Sequence, residues 1–186
     1  MRRLAVALAA ALAAGCRKGP PPREAPSVPA RAVVAGVPLV DYEAPTGEFA
    51  CRAPADWRAL EDESMGPRVM FFGPGGSVAI SILRYPDGGR IKTPEEYAGS
   101  LKLSGRDPGP LETRAAGGRT EYRLHYESAR RPPRGRKAPR AKREDVALVP
   151  VRGGFFAITH SAPVETYAAT MPVFEAVVAS FRPKTP

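Results

Sequence analysis

The sequence predicts an α+β domain, an antiparallel β-sheet covered by two amphipathic helices. Three observations lead there. Strand-like alternation recurs along the chain, most cleanly over 119–128. There Thr120, Tyr122, Leu124 and Tyr126 fall on one side of a period of two, and Glu121, Arg123, His125 and Glu127 on the other. Glycine-rich and proline-containing turns separate the apolar runs at hairpin distances. Near the end, Val173, Phe174, Val177, Val178 and Phe181 recur at helical spacing.

Ahead of the domain, Arg2 and Arg3 precede an apolar run of eleven residues from Leu4 to Ala14. That length suits the apolar region of a signal peptide and falls short of the roughly 20 residues needed to span a bilayer. The run closes in Leu12-Ala13-Ala14-Gly15-Cys16. Small residues before a cysteine resemble the bacterial lipobox, although Ala13 stands where leucine is usual. Residues 1–15 are therefore expected to be a lipoprotein signal peptide, with lipid on Cys16. A thioether-linked diacylglycerol and an N-acyl chain exceed the two lipid signals that stable anchoring takes. The same residues also read as an ordinary signal peptide cut within Ala13-Ala14-Gly15, with Cys16 incidental. Arg17, where some lipoproteins carry aspartate, points to the periplasmic side of the outer membrane.

Residues 16–45 read as a tether, since seven prolines fall between Arg17 and Pro45 without an amphipathic period. As a flexible coil it reaches about 30 Å, and as extended polyproline up to about 90 Å. Val33, Val34, Val37, Leu39 and Val40 are too apolar for a pure spacer, which leaves open an extra strand there. The domain proper is expected over 46–186.

Its elements follow in order. Gly47 to Arg52 alternates and closes at Pro54-Ala55-Asp56-Trp57, with Trp57 as a core plug. Arg68 to Phe72 and Val78 to Leu83 form two arms around Gly73-Pro74-Gly75-Gly76. That loop opens a strand and not a helix, so it is a turn and not a phosphate cradle. Glu61-Asp62-Glu63 reads as a solvated charge run. Thr93-Pro94-Glu95-Glu96-Tyr97 starts a helix, with Thr93 capping, Pro94 at the first helical position and Glu96 three beyond the cap. Tyr97, Leu101 and Leu103 supply its buried stripe. Leu111 to Ala116 and Arg119 to Ser128 are strands joined at Gly117-Gly118. Asp145 to Val151 and Phe155 to Thr159 pair around Gly153-Gly154. The end is a short helical piece from Val164, then a helix from Met171 to Ser180 capped by Thr170, with Pro172 in its first turn.

The charge is concentrated. Arg130, Arg131, Arg134, Arg136, Lys137, Arg140, Lys142 and Arg143 occur with no acidic residue among them. Without these eight and the leader's two arginines, 18 basic residues face 19 acidic ones, so one segment sets the basic balance. Nucleic-acid binders spread positive charge over a folded face with aromatics interleaved, which excludes that class here. Pro132, Pro133, Gly135 and Pro139 mark residues 129–143 as an irregular basic loop. It is either a tolerated insertion or an anion-seeking arm for anionic lipid, lipopolysaccharide phosphates or an acidic protein.

Several of these features together resemble the PsbP-like family, from about Thr46 to Pro183. The resemblance rests on the first strand closing at Pro54-Ala55-Asp56-Trp57 and on the helix opening at Thr93-Pro94-Glu95-Glu96-Tyr97. Gly118-x-x-x-Tyr122, Gly153-Gly154-Phe155-Phe156 and Phe174-x-x-Val177-x-x-Ser180-Phe181 complete it. These are packing positions. The family is named for an extrinsic photosystem subunit, and its fold recurs in exported bacterial lipoproteins and a Ran-binding protein. The resemblance implies an α/β/α sandwich without enzymatic activity, a binding or assembly accessory. The insertion between Arg130 and Arg143 departs from its pattern.

Catalytic signatures are missing from the sequence: it has no G-x-S-x-G, H-E-x-x-H or C-x-x-C. Of its two histidines, His125 falls on the polar side of its strand and His160 at a strand end. Neither reads as a metal ligand, and no cofactor is expected. With Cys16 taken by lipid, Cys51 has no partner for a disulfide and is expected to pack as a small apolar residue. The functional expectation is an envelope-anchored lipoprotein, not an enzyme, serving an unidentified envelope protein. The alternative is a polyanion binder working through the basic loop.

Overall fold

The computed structural model describes residues 32–62, 68–128 and 141–184. In chain order these carry β1 (Ala32–Val34), β2 (Val37–Glu43), β3 (Phe49–Pro54), β4 (Arg58–Asp62), β5 (Arg68–Phe72), β6 (Ala79–Pro86), α1 (Pro94–Leu103), β7 (Glu112–Ala116), β8 (Arg119–Ser128), β9 (Lys142–Val151), β10 (Gly154–Pro163), α2 (Val164–Ser180) and β11 (Arg182–Pro183). Seven strands form an antiparallel sheet in the order β4-β5-β6-β10-β9-β8-β7, and a smaller sheet runs β1-β2-β3-β11.

The layering follows from β10, which lies between β6 and β9. Its alternation sends Phe156, Ile158 and Ala162 into one core, with Val173, Phe174, Val177 and Phe181 of α2 and its end and with Phe49, Cys51 and Ala53 of the small sheet. Phe155 and Ala157 point the other way, to Tyr97 and Leu101 of α1. The large sheet is thus covered by α1 on one face and by α2 with the small sheet on the other. This is the predicted α+β sandwich.

Backbone geometry fixes the hairpins. Gly154 has φ +134°, and a Cβ there would lie 2.0 Å from the Tyr85 carbonyl oxygen on β6, so only glycine lets the three strands meet. Pro74–Gly76 forms the turn expected between β5 and β6, with both glycines at positive φ. Trp57 is buried against the Gly73 backbone, as the core-plug reading requires.

Several expectations need correction. The apolar stretch at 33–40, where docking was open, is strand: β1 and β2 turn tightly at Ala35-Gly36 with φ of 50° and 78°, and β2 pairs with β3. The end of the tether as read thus belongs to the small sheet. Glu61 and Asp62 are not loop residues but part of β4, and Glu63 lies outside the described residues. Leu103 is 90 % exposed because it is two residues past Leu101 and so turns to the opposite side of α1. Strand β9 begins at Lys142 rather than Asp145.

The last helix is one element from Val164 to Ser180, with Pro172 inside it. Thr170 is no cap. Its hydroxyl donates to the Thr166 carbonyl at 3.1 Å, one turn back. Burial of Val173, Phe174, Val177 and Val178 outweighs the helix-breaking cost of Pro172. The carbonyl that Pro172 leaves without a donor is that of Ala168, an exposed residue open to water.

Candidate functional site

The period of two on β8 and β9 brings charged side chains together where the two strands leave the sheet. Their register pairs His125 with Asp145, Tyr126 with Glu144 and Glu127 with Arg143, ending at Ser128 and Lys142. Tyr167 of α2 and the 107–110 segment after α1 complete the wall of a groove of about 700 Å³. Its polar groups are mostly tied to one another. The Tyr167 hydroxyl donates to Asp145 Oδ2. Arg143 Nε donates to Glu127 Oε1 at 2.9 Å, and its guanidinium lies 5.6 Å above the Tyr167 ring. Burial holds the Asp145 carboxyl above the usual carboxylate range.

Tyr126 and Glu144 also border a second groove of about 490 Å³, beside Tyr97, Leu101 and Arg106. The Tyr126 hydroxyl donates to Glu144 Oε2 at 2.5 Å, and Ser128 Oγ to Glu144 Oε1 at 2.9 Å. Burial, then the neighbouring Glu144 carboxylate, pushes the Tyr126 phenol far above its usual range. His125 stays exposed, its ring against Gly109, where a Cβ would come within 3.0 Å of Cε1.

Chemically, the groove is a preorganised polar surface. Glu127, Glu144 and Asp145 already have fixed partners, and Asp107 and His125 stand at the exposed wall. Among the described residues no three His, Cys, Asp or Glu side chains converge to hold a metal ion. Cys51 is buried, and burial raises its thiol to about 12, which leaves it protonated and inert at neutral pH.

The sequence-derived site residues fare unevenly. Cys16 lies outside the described residues, as do Arg130, Arg131, Arg134, Arg136, Lys137 and Arg140. Lys142 and Arg143 are strand residues and not loop. Lys142 Nζ donates to the Ser77 carbonyl at 3.1 Å, and Arg143 is held by Glu127 and Tyr167.

Alternation alone also misassigned two residues of β8. Glu121 is 1 % exposed and Arg123 is buried, because α2 covers the side read as wet. Arg123 Nε donates to Glu121 Oε1 at 2.8 Å, and its terminal nitrogens reach both oxygens of Glu175 on α2. Arg119 donates to the Val178 and Phe181 carbonyls at the end of α2, where a cation complements the helix dipole. His160 is likewise buried, with Nε2 2.9 Å from Thr170 Oγ1 and its ring stacked on Phe174. The signal for His160 was available, since it continues the inward series Phe156, Ile158.

No protein-family model matches the chain, and no curated protein matches it in sequence. Solved structures do. The cyanobacterial PsbP protein CyanoP of Synechocystis aligns over 78 % of this chain and 92 % of its own, at 16 % identity and a TM-score of 0.55. The fold is PsbP-like. The yeast Ran-binding protein Mog1p shares it over 78 % and 95 % of the two chains, at 11 % identity and a TM-score of 0.54. A Pseudomonas aeruginosa protein of unknown function, PA94, described as a putative regulator, aligns over 80 % and 99 % at 13 % identity and a TM-score of 0.51. At these identities the likeness concerns the PsbP-like architecture alone.

Proposed function

We propose that this chain is an envelope lipoprotein, anchored by lipid on Cys16, whose PsbP-like domain binds or helps assemble a protein partner without chemistry of its own. The observation that carries the reading is the groove between β8, β9 and Tyr167. Three of its four carboxylates, Glu127, Glu144 and Asp145, are locked to Arg143, Tyr126, Ser128 and Tyr167. Groups fixed this way present a rigid pattern of charge for recognition, whereas acid–base catalysis needs a group free to exchange its proton with substrate. The Ran-binding protein Mog1p offers an analogy at fold level for protein recognition. Among the described residues no helix is long and apolar enough to cross a membrane, so attachment in this reading falls to the lipid.

The test is a photoreactive side chain at Asp107, on the groove wall, in cells carrying the full chain. We expect a discrete adduct that Glu127→Lys abolishes and that a probe at Pro74, on the β5–β6 turn, does not give. Equal adducts from both positions, or none from Asp107, would overturn the reading.

A second reading rests on charge: eight cations within fourteen residues leave the rest of the mature chain near neutral. Near an anionic surface each is worth up to about 1 kcal/mol, within a Debye length of about 8 Å. If this loop engages phosphate-bearing lipids, unlipidated protein binds anionic vesicles at low salt and releases them as salt rises. Replacing residues 130–141 by a short glycine turn then removes the binding without altering the melt. Equal vesicle binding by both variants, or by neither, excludes the loop.

A further inference from the structure

Among the described residues the large sheet ends in two edge strands, β4 and β7, and they differ in what they accept. Arg58, Ala59, Leu60 and Glu61 of β4 are all exposed, and Leu60 leaves 49 % of its surface uncovered. A bare edge is a template for another strand, and sheets usually blunt such edges with charge or bulges. Strand β4, Arg-Ala-Leu-Glu-Asp, carries such charges, but they complement one another when the strand meets a second copy. Laid antiparallel on a second copy about Leu60, it places Arg58 opposite Asp62 twice, Ala59 opposite Glu61 twice, and Leu60 opposite Leu60. The pleat sets Arg58, Leu60 and Asp62 on one face, beside Phe72, Met70 and Arg68 of β5. Opposite charges thus flank an apolar centre, the arrangement that favours cross-strand pairs. Asp62 has interactions within its own chain, so the pairing adds an opposite charge beside it and not its first contact.

The other edge refuses the same operation. Strand β7, Glu-Thr-Arg-Ala-Ala, laid on itself in full register sets Arg114 against Arg114 at the twofold axis. Like charges directly opposite are destabilising.

We propose that two copies of this chain associate through β4, joining their large sheets into one continuous antiparallel sheet across a twofold axis at Leu60. The axis of such a pairing stands perpendicular to the sheet. Both copies then carry α1 on one side and the small sheet, where the described chain begins, on the other. Five residues a side is a small contact by the standard of stable dimers. The association is weak in dilute solution, and it is best read by crosslinking.

The test uses the full chain in cells under mild oxidation. Paired residues on antiparallel strands have Cα atoms about 4.5 or 5.5 Å apart, within the span of a disulfide. Leu60→Cys meets its own copy at the axis and should give a disulfide-linked dimer, whereas the wild type and Arg114→Cys should not. Adding Arg58→Asp to Leu60→Cys should reduce the dimer about tenfold through two repelling pairs, and Asp62→Arg in the same chain should restore it. A general loss of folding would not be repaired by that second reversal. No dimer from Leu60→Cys, an equal yield from Arg114→Cys, capture of a different protein, or failure of the double reversal to restore would each overturn the proposal.

Discussion

His160 shows how one residue ties packing to pH. It is fully buried on β10, and burial lowers its pKa from 6.5 to about 4, so it folds neutral. Thr170 directs its hydroxyl hydrogen at backbone carbonyls of α2, so its oxygen accepts from His160 Nε2–H. The ring's other nitrogen, Nδ1, is left as a buried lone pair without a hydrogen-bond partner among the described residues. Between pH 6.5 and 4 the unfolded chain binds a proton at this position that the folded chain does not. The contribution is complete above pH 6.5 and is lost as pH falls toward 4. The shift corresponds to up to about 3 kcal/mol. Urea unfolding of wild type and His160→Gln across this range isolates it. Their difference in unfolding free energy should change in favour of the variant on acidification, and a constant difference contradicts the neutral buried imidazole. The sequence placed His160 on a strand but not in the core, because its hydrophobic neighbours declare a face only when the whole inward series is counted.

At the scale of elements, what was legible depended on whether the signal was local. The start of α1 was, since Thr93 Oγ1 accepts from the Glu96 amide at 3.2 Å as the capping pattern predicts. Strand β4 was not, because an exposed edge strand of five residues shows no inward alternation. Strand β8 alternated cleanly, yet which side is wet depends on where α2 docks, and α2 lies about fifty residues downstream. The contact that settles it is Arg123, held between Glu121 and Glu175. Arg123→Met should cost about 3–5 kcal/mol, since it leaves the buried Glu121 carboxylate with only the more distant Arg119, 3.8 Å away. Glu121→Leu combined with Arg123→Met should recover most of that loss, because the buried carboxylate is removed with its partner while Arg119 keeps the Val178 and Phe181 carbonyls. Denaturant midpoints of the two variants decide this. A double variant as weak as the single one would mean that the pair holds α2 by more than charge balance. The candidate groove was legible only in part. His125 could be read as polar and exposed, but Asp107 and Tyr167 come to it from elements that no sequence spacing relates.

For the molecule as a whole, the proposed function divides between a domain for recognition and a lipid for attachment. Its core is two clusters on either side of one sheet, without a disulfide among the described residues to staple them. Apolar packing and the buried Glu121–Arg123–Glu175 contacts hold the described residues together. Cys16 is the residue that joins domain to envelope in the proposed function, and the apolar run before it is the strongest single signal in the sequence. Labelled palmitate supplied to cells making the chain tests that claim most directly. The wild type should incorporate the label and sediment with membranes, and Cys16→Ala should lose both. A wild-type chain that stays unlabelled and soluble in the periplasm would contradict the lipid anchor.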